Sequence, residues 1–562
     1  MYDGRSFTRV QLDDADVCIV GAGPAGLAVA EELDGLPLRV CLIESGGRQP
    51  DGDTDDLSDC PADVNDDLYF NTRHLRSRAI GGTAHQWCVE IDREPHFRLD
   101  LLHPADFEHR PWLDHSGWPI TADELAPFYR RATVASGADP ERFRVGDPPA
   151  IDAATNLLVT ARFLFGAQRV FTEEIPHDLA ASENVSVISR TTVVELVTNT
   201  DGTSVTGVVA RTLAGNEIRI RSRIVILAQG AFEVPRLLLA SRRHDPVGVG
   251  NRHDLVGRFL MDHQIVRAGE IIPEPGRDLC RDLAAYDVVG SAGQAGTAAL
   301  TVDNKVLDHE HLLRSAFMIA PSGMSPTAHR LRRPFGRETT VRSPAHVSAL
   351  TLRYALRDRE RPRRFLRHVA EMIRGADDLW AIKARRSYPF RSRYSIDVGG
   401  WSDLPGDSVG PFELFQLCEQ APNPDNRVTL GAATDRLGMT KGHVSFRWGA
   451  REQPSVLRTQ QLLDDGLAEA GVGRVSRQCR AGVPLLRQMT AHHPAGTARM
   501  ATDPADGVVD PDCRVHGVDN LFVASSAVFP TAGYAAPTLT IIALAIRVAD
   551  RVRDDLGHPR RA

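Results

Sequence analysis

Two adjacent histidines, His492 and His493, precede a turn of small residues in "HHPAGTARM", about seventy residues before the C-terminus. An imidazole has a pKa near neutrality, so it can remove a hydroxyl proton while a hydride leaves the carbon. The pair could equally be structural or lie at the surface. A catalytic function requires a cofactor and usually a second polar group, which the rest of the chain must supply.

A glycine-rich turn offers a cofactor site. Gly21, Gly23 and Gly26 form a G-x-G-x-x-G pattern between a β-rich run at 17–20 and a run of helix formers. These glycines permit a tight turn, close approach of a pyrophosphate and close helix–strand packing, and the helix N-terminus attracts phosphate. Glu44, eighteen residues after Gly26, ends the next strand and can accept hydrogen bonds from a ribose. The unit therefore predicts dinucleotide binding.

The chain carries one such fingerprint, since the glycines of "GLAEAGVGR" follow no strand and precede no suitable acidic residue. A flavoenzyme that also drew hydride from a nicotinamide would normally need a second dinucleotide site. The cofactor is therefore expected to take electrons from the substrate and to pass them to oxygen or another acceptor.

The elements around these residues follow from periodicity. Residues 184–228 alternate like strands and predict an antiparallel ribbon that leads into a buried strand at 224–228. The C-terminal residues predict a buried strand, a Pro/Gly turn and a helix of about fifteen residues.

Composition excludes several classes of protein. At 562 residues the chain exceeds the usual size of one core, which predicts two domains. A net charge of -7 gives no reason to expect nucleic acid as a partner. Eight cysteines without C-x-x-C or metal-type spacing predict buried thiols, a reducing compartment and no metal site. No apolar run resembles a signal peptide or a membrane span, so a cytoplasmic enzyme is expected.

One segment departs from this charge balance. Residues 330–374 contain thirteen arginines and four acidic residues. This pattern indicates either an anionic partner or surface, or a solvated helix face after Pro362.

Eight stretches resemble, in order, the motifs of the glucose-methanol-choline (GMC) oxidoreductase family and, within it, the branch that includes pyranose oxidases. They are "VGAGPAGLAVAEEL", "GGTAHQW", "VILAQGAFEVPRLLLAS", "GNRHDLVGRFLMDH", "PNPDNRVTL", "HHPAGTARM", "GVVDPDCRVHGVDNLFVASSAVFPT" and "APTLTIIALAIRVAD". The resemblance extends from about residue 16 to 550, but residues 265–410 resemble nothing specific.

The resemblance implies an α/β fold in which a Rossmann-like FAD-binding domain is interleaved with an α+β substrate domain built on an antiparallel sheet. Residues 14–263 would form the first part of the FAD-binding domain, with insertions from the substrate domain. Residues 264–490 would form mainly the substrate-binding domain. Residues 491–555 would return to the FAD-binding domain with the catalytic histidine.

The resemblance also implies where FAD is bound. "GGTAHQW" would lie along the flavin and "AQGAFEVP" near the adenine, and the helix N-terminus at "APTLT" would stabilise negative charge on the reduced flavin. The expected cofactor-binding residues are Gly21, Gly23, Gly26, Glu44, Gly81, Gly82, Thr83, His85, Val193, Ala228, Gly230, Ser525, Ser526, Pro537, Thr538 and Leu539.

In the family's pattern the base is the histidine three residues before Gly-Thr, here His493. The second catalytic residue, a His or Asn in an N-P-x-L-T turn, corresponds to Ala536, which offers no side-chain donor or acceptor. Loss of one positioned donor can lower a rate by a factor on the order of a hundred. Tyr534, His492, a group from the middle region, a water or an altered substrate are the alternatives for this gap.

Two smaller departures concern the flavin. Pyranose oxidases carry a flavin-linking histidine immediately before the Trp of the glycine-pair motif, but Gln86 has that place here and His85 precedes it. We therefore expect non-covalent FAD. Ser525 replaces an acid often found in the family, and its hydroxyl can still donate to phosphate or flavin oxygens.

The expected function is that of an FAD-dependent GMC-type alcohol oxidase or dehydrogenase. It would oxidise a hydroxyl group of a polar, sugar-like or natural-product substrate to a carbonyl by hydride transfer to flavin N5, with His493 as base. Because Ala536 replaces the usual partner, a non-redox lyase on the same scaffold is an alternative. An inactive flavin-binding partner subunit is another.

Overall fold

An eight-stranded and a nine-stranded β-sheet form the framework of the part of the chain that the structure describes. The computed structural model describes residues 1–558 except 8–9, 65–71, 73–74, 88, 92–93, 142–150, 152–153, 288–295, 322–347, 350–351, 353–364, 377–378, 380–411, 478, 481–482 and 485–487. Most of the arginine-rich segment lies outside the described residues. The helix expected after Pro362 is present at Phe365–Arg374, and the anionic partner stays a prediction.

The strands are β1 (Tyr2–Asp3), β2 (Val10–Val20), β3 (Val40–Ile43), β4 (Ala62–Val64), β5 (Val89–Ile91), β6 (Glu94–Leu99), β7 (Leu158–Ala167), β8 (Val185–Ser189), β9 (Thr192–Thr198), β10 (Val205–Arg211), β11 (Glu217–Leu227), β12 (Gln264–Pro273), β13 (Gly296–Val302), β14 (Ser315–Pro321), β15 (Phe412–Cys418), β16 (Arg427–Thr434), β17 (Thr440–Phe446), β18 (Gly473–Ser476), β19 (Cys479–Arg480), β20 (Val483–Pro484), β21 (Gln488–Thr490) and β22 (Leu521–Val523).

The α-helices are α1 (Pro24–Leu33), α2 (Gly52–Asp55), α3 (Pro104–Phe107), α4 (Ala122–Ala135), α5 (Ile175–Ala181), α6 (Gly230–Ala240), α7 (Leu279–Asp282), α8 (Asn304–His309), α9 (Phe365–Arg374), α10 (Glu452–Glu469) and α11 (Thr538–Asp555). Short 3-10 turns span Gly4–Ser6, Asp56–Ser58, Gly82–Gln86, Ala284–Tyr286 and Ser526–Val528, and a π turn spans Val170–Glu174.

The first sheet has the order β1-β8-β3-β2-β11-β10-β9, with β22 beside β11. Its centre is parallel: Val17–Val20 align with Val40–Ile43 on one side and with Ile224–Leu227 on the other. All three runs are buried, as is typical of strands inside a parallel sheet whose faces are covered, and this burial explains their continuous apolar sequence. Strands β9, β10 and β11 form the predicted antiparallel ribbon. The Rossmann-like α/β framework is confirmed.

Two helices support the glycine turn of this sheet. Helix α1 begins at Pro24, where a missing N–H costs nothing because the first helical turn has no intrahelical acceptor for it. Helix α11 packs against α1 and spans 18 residues, somewhat longer than the expected fifteen. It begins two residues after Ala536, so its N-terminus lies at the end of the loop that the sequence singled out.

The second sheet is antiparallel and has the order β18-β12-β15-β14-β13-β7-β6-β5, with β21 also paired to β12. Strands β5, β6 and β7 join it from the N-terminal third of the chain, so the substrate-domain sheet draws on residues before 168. The exact domain boundaries stay a prediction. The ends of β6, β12 and β21 supply the polar residues described next.

Candidate active site

An irregular stretch of antiparallel pairing positions the "HHPAG" segment. Thr490 pairs with Gln264, and Ala495 pairs with Met261 in an isolated bridge. Between these two pairs, four residues of the C-terminal segment face only two residues on the other side. Such an unequal pairing is a bulge, in which the longer segment leaves the pleat and re-aims its side chains.

His263 and His493 contact each other within this bulge. Their Nδ1 atoms lie 2.9 Å apart, and the two rings are nearly perpendicular, at 89°. His263 is buried, whereas His493 is half-buried. One Nδ1 must donate and the other accept, so the pair holds one proton between the rings.

His492 does not continue as an extended strand. Its φ is 62°, in the left-handed region that is uncommon for non-glycine residues. The strand-like alternation of successive side chains therefore does not decide where its ring points, because the bulge has already broken the pleat. Its charge lowers the pKa of His493, which places the imidazole close to the base candidate.

Both paired imidazoles are neutral at neutral pH. Burial lowers the pKa of His493 well below its ordinary value. The charge of Arg98 lowers it further, as does a charge on His263 or His492 whenever that ring is protonated. Burial also lowers the pKa of His263 to about 4, although hydrogen bonding to the nearby backbone partly opposes this effect. A neutral imidazole is the form that can accept a proton.

Asp262 fixes the backbone of the bulge. Its Oδ1 accepts a hydrogen bond of 2.8 Å from the backbone N–H of His493, and its own N–H donates to Oε1 of Gln420 at 2.9 Å. Burial raises the pKa of Asp262 to about 8, although backbone N–H groups of His493 and His263 oppose the shift. The side chain therefore holds the position of His493 at a cost in desolvation.

Arg98 and Asp100 lie beside the loop that contains Ala536. The backbone N–H of Ala536 donates to Oδ2 of Asp100 at 2.8 Å, and Nε of Arg98 donates to the same oxygen at 3.1 Å. Asp100 is fully buried. A carboxylate just before a helix N-terminus is also favoured by the helix dipole. The Asp100 carboxylate therefore connects the guanidinium of Arg98 to the backbone of Ala536, the position where a side-chain donor is missing.

Tyr534 lies in the same loop and is half-buried. It packs against an apolar cluster that includes Phe163 and Met318. Burial, together with the charges of Asp106 and Asp100, raises the pKa of its phenol above the ordinary value. The phenol therefore stays protonated and can act as a hydrogen-bond donor, in a position close to Arg98.

The glycine turn forms a cradle with the glycine pair. A Cβ on Gly26 would lie 1.8 Å from the carbonyl oxygen of Gly21, so only glycine allows this approach of helix to strand. The N–H of Gly81 donates to Ala22 O at 2.8 Å, and a Cβ on Gly82 would lie 2.8 Å from Cα of Gly23. The two motifs therefore meet, as the prediction of a shared cofactor site requires.

Glu44 lies beneath this cradle and is buried. Its Oε2 accepts from the N–H of Ala22 and its Oε1 from the N–H of Gly46, both at 2.8 Å. Burial raises its pKa, whereas these N–H groups and the charge of Arg78 oppose the rise. A carboxylate oxygen has a second lone pair, so Glu44 can still accept from a ribose hydroxyl.

The strand residues expected at the cofactor lie at the same edge. Ala228 follows β11, and its side chain would be 3.3 Å from a Cβ on Gly26. Val193 is buried in β9, next to Thr192, whose hydroxyl hydrogen-bonds that of Ser45 at 2.7 Å. Gly230 begins α6 in the left-handed region, at φ 81°.

The 3-10 turn Gly82–Gln86 places Thr83 and His85 beside the cradle. Nε2 of His85 hydrogen-bonds the backbone oxygen of Ile80 at 2.8 Å, and the Gln86 amide donates to Ser77 at 3.0 Å. His85 is thus engaged within its own loop. Non-covalent FAD stays a prediction.

The two C-terminal serines connect the cradle to the histidine segment. The hydroxyl of Ser526 donates to Pro494 O at 2.7 Å, next to His493, and the N–H of Ala524 donates to Leu227 O at 2.9 Å. Ser525 uses an oxygen lone pair to cap the following 3-10 turn. Its hydroxyl proton stays available as a donor. Pro537, Thr538 and Leu539 form the N-terminus of α11.

The residues fit FAD on two structural observations. The space around the missing Cβ of Gly23, at the N-terminus of α1, has no neighbour closer than 4.0 Å, which leaves room for phosphate. Oε1 of Gln229, at the start of α6, is buried and has no hydrogen-bond partner among the described residues. Such an atom requires a partner, and an adenine amino group or ribose hydroxyl can supply one.

Sequence reasoning overlooked three polar residues here. His263 ends the quoted "GRFLMDH" stretch, but nothing local shows that it contacts His493. Arg98 and Asp100 lie two residues apart, the spacing that places side chains on one face of a strand, at the end of an otherwise apolar "FRLD" run. That spacing was the available signal.

Six cysteines are free and buried, which confirms the buried thiols for Cys18, Cys41, Cys60, Cys280, Cys418 and Cys513. The helices within the described ranges include none with the length and apolar character needed to cross a bilayer.

Comparison with known proteins agrees with this architecture. The model for the N-terminal part of GMC oxidoreductases matches residues 166–265, and that for the C-terminal part matches residues 422–545. The chain is 24% identical to paromamine 6'-oxidase of Streptomyces fradiae over 99% of this chain and 93% of that protein. It is 25% identical to pyridoxine 4-oxidase of Microbacterium luteolum over 92% of this chain and 95% of that protein.

A solved structure shares the fold over nearly the whole chain. The crystal structure of pyridoxine 4-oxidase from Mesorbium loti superposes with a TM-score of 0.50 at 17% identity, covering 98% of this chain and 100% of that one. Fold, cradle and matched motifs together define an FAD-binding oxidoreductase that acts on alcohols. The chain matches the GMC oxidoreductase family in both of its conserved parts.

Proposed function

We propose that this enzyme oxidises a hydroxyl group of a polar, sugar-like or natural-product molecule to a carbonyl, with His493 as the base. The hydroxyl proton passes to His493. FAD held at the glycine cradle would supply, at flavin N5, the acceptor for the hydride and so for both electrons of the C–H bond. The observation that carries the proposal is the neutral, half-buried imidazole of His493, held at Nδ1 by His263.

The histidine pair assigns the proton positions. In the arrangement that we propose, Nδ1–H of His493 donates to Nδ1 of His263, and His263 carries its own proton on Nε2. This leaves the lone pair of His493 on Nε2, which is the atom that takes the substrate proton. The backbone of Ala532 and Gly533 favours a proton on the His263 ring, although Nε2 of His263 is buried and has no hydrogen-bond partner among the described residues.

The bulge fixes the direction of the base. Asp262 binds the backbone N–H of His493, and Ser526 binds the backbone oxygen of the following Pro494. Buried side chains therefore hold the backbone at His493 itself and at the residue that follows it. A base fixed in this way loses little orientational freedom when it reacts, and such positioning contributes to rate.

The relatives support a polar substrate. Two proteins that align over most of the chain are named as oxidases of paromamine and of pyridoxine. Arg98 and Tyr534 are polar side chains close to His493, and both can donate hydrogen bonds to such a molecule. The bound cofactor would supply the route by which the two electrons reach oxygen or another acceptor.

The test is anaerobic mixing of the FAD-loaded enzyme with a panel of polyols, amino sugars and hydroxymethyl pyridines, followed by flavin absorbance. We expect bleaching by at least one class. The variant His493→Asn should bind FAD but reduce it about 10²–10⁴-fold more slowly with that substrate, the usual contribution of general base catalysis.

His516→Asn is the matched control, because Nε2 of His516 only binds the backbone oxygen of Ala501. This variant should reduce flavin at the wild-type rate. If no alcohol bleaches the flavin while the enzyme eliminates from or isomerises a panel member, the chain is a non-redox lyase instead. Full activity of His493→Asn would also refute the proposal.

A further inference from the structure

The loop at Ala536 lies beside the carboxylate of Asp100, but the side chain of Ala536 offers no hydrogen-bond donor. A substrate oxygen that loses its proton needs such a donor. As the proton moves to His493, negative charge develops on that oxygen. A donor placed where this charge appears lowers the barrier more than any contact to the resting alcohol. The question is which described side chain can provide it.

Arg98 is tied to the place where the donor is missing. One oxygen of Asp100 accepts both the N–H of Ala536 and Nε–H of Arg98, and the second oxygen lies 3.0 Å from the same Nε. The guanidinium therefore lies within two hydrogen bonds of the backbone at position 536. Because Asp100 is fully buried, this geometry is fixed rather than one of many surface arrangements.

The other nitrogens of Arg98 are weakly engaged. Nη1 contacts the thioether of Met318 at 2.7 Å, and a thioether is a poor acceptor. Cζ lies 4.8 Å from the ring centroid of Phe163. Nη2 has no hydrogen-bond acceptor among the described residues, and the side chain keeps 11% of its exposure. The guanidinium therefore retains a donor for a ligand.

The cation also faces the base. Its charge lowers the pKa of His493, of His263 and of Tyr534, so its field reaches all three groups. Tyr534 packs against the apolar cluster that contains Phe163 and Met318, the two residues that Arg98 contacts. The phenol and the guanidinium therefore share an apolar surface, and the guanidinium lies close enough to the imidazole to act on it through its charge.

We propose that Arg98 is a catalytic residue, which donates a hydrogen bond to the substrate oxygen and stabilises its negative charge while His493 takes the proton. Asp100 positions Arg98, and the arrangement replaces a donor at position 536. The inference rests on the proposed function. This arrangement favours substrates whose hydroxyl group is sterically unhindered, because its oxygen must contact both Nε2 of His493 and the guanidinium.

The test compares Arg98→Gln and Arg98→Lys with Arg267→Gln. Arg267 lies on β12 of the same sheet, is similarly buried and pairs with Glu270 and Glu413, so its variant controls for loss of an interior ion pair. Anaerobic flavin reduction should slow about 100-fold or more in Arg98→Gln, with a smaller loss in Arg98→Lys. Arg267→Gln should keep the wild-type rate.

A second readout needs no turnover. The groups that set the titration of His493 are His263, Arg98 and His492, together with burial. NMR of ring-labelled histidine in the substrate-free enzyme should show the His493 pKa rising in Arg98→Gln, since a cation that disfavours the imidazolium is lost. It should stay unchanged in Arg98→Lys, which keeps the charge, and in Arg267→Gln.

The outcomes separate the two proposals. Wild-type enzyme that reduces no flavin with any alcohol refutes the proposed function. Suppose instead that the wild type is active, that Arg98→Gln reduces flavin within about threefold of the wild-type rate, and that the His493 pKa is unchanged. This result refutes only the role of Arg98. If Arg98→Gln does not fold, Arg98→Lys decides: a loss of tenfold or more with an unchanged pKa supports the proposal, and wild-type kinetics overturn it.

Discussion

The Nδ1 atoms of His263 and His493 lie 2.9 Å apart across a β-bulge, although 230 residues separate them in the chain. The contact restricts protonation, because the two facing nitrogens cannot both carry a proton. It also restricts rotation, since a ring flip of either histidine would break the hydrogen bond. In the mechanism that we propose, both effects prepare Nε2 of His493 to act as the base.

Removal of the acceptor at residue 263 should therefore impair the base. We expect His263→Leu to lower kcat about 10–100-fold with little change in KM, the scale of loss found when the hydrogen-bond partner that orients a metal-bound histidine is removed. His263→Asn should retain most of the rate, because the amide oxygen can occupy the place of Nδ1 and accept the same hydrogen bond. Steady-state kinetics across pH measure both.

A purely structural role for His263 would give another pattern. His263→Leu and His263→Asn would then lower thermal stability and activity in parallel. Equal kcat values for the two variants, with both folded, would contradict the assignment of the tautomer.

Gly82→Ala should weaken FAD binding through its contact with Gly23. The added Cβ would lie 2.8 Å from the Cα of Gly23 and would push the two glycine motifs apart. Gly215→Ala is the control, because Gly215 also has a positive φ, of 91°, but has open space around it. Both variants carry the backbone cost of about 1–2 kcal/mol, and only Gly82→Ala adds the clash.

Titration of the apoprotein with FAD, followed by fluorescence quenching, distinguishes these effects. Gly82→Ala should raise the dissociation constant at least tenfold, whereas Gly215→Ala should leave it unchanged and lower only the melting temperature. Equal affinities would remove the glycine pair from the proposed cofactor site.

The raised pKa of Asp262 predicts a pH dependence of stability. Its folded-state pKa of about 8 exceeds the ordinary value, so the folded state binds a proton that the unfolded state releases. The stability present at low pH is therefore lost as the pH rises from about 4 to about 8, by up to about 1.4 kcal/mol per pH unit. Asp262→Asn should remove this slope and keep the acceptor for the N–H of His493.

Urea unfolding at several pH values gives the difference in the free energy of unfolding between wild type and Asp262→Asn. Neutralisation of His263 and His493 changes stability with pH in both proteins and cancels in that difference. A wild-type curve that runs parallel to the variant curve from pH 4 to 8 would show that Asp262 is ionised throughout.

Local sequence was sufficient for the cofactor cradle. The strand, glycine turn, helix and second strand of residues 17–44 follow from apolar runs, turn glycines and a helix start, all within about thirty residues. The structure confirms them, including the buried Glu44. Local preferences determine such a unit because each of its contacts lies close in sequence.

The sequence also singled out His493 and the gap at Ala536, through ordered motifs of the family. It could not show what surrounds them. His492 adopts φ 62° within the bulge, where four residues between Thr490 and Ala495 face only two residues of the opposite segment. No pattern of residue types encodes this difference in number.

The sequence by itself determined the α/β framework, the resemblance to the family and the glycine motifs at which we propose that a dinucleotide binds. Only the tertiary structure decided that His263 contacts His493 and that Asp100 connects Arg98 to Ala536, across 436 positions of the chain. The physical reason is that these contacts form where strands of the antiparallel sheet meet loops of the parallel domain. Their geometry depends on the packing of both sheets, and one stretch of sequence carries no information on it.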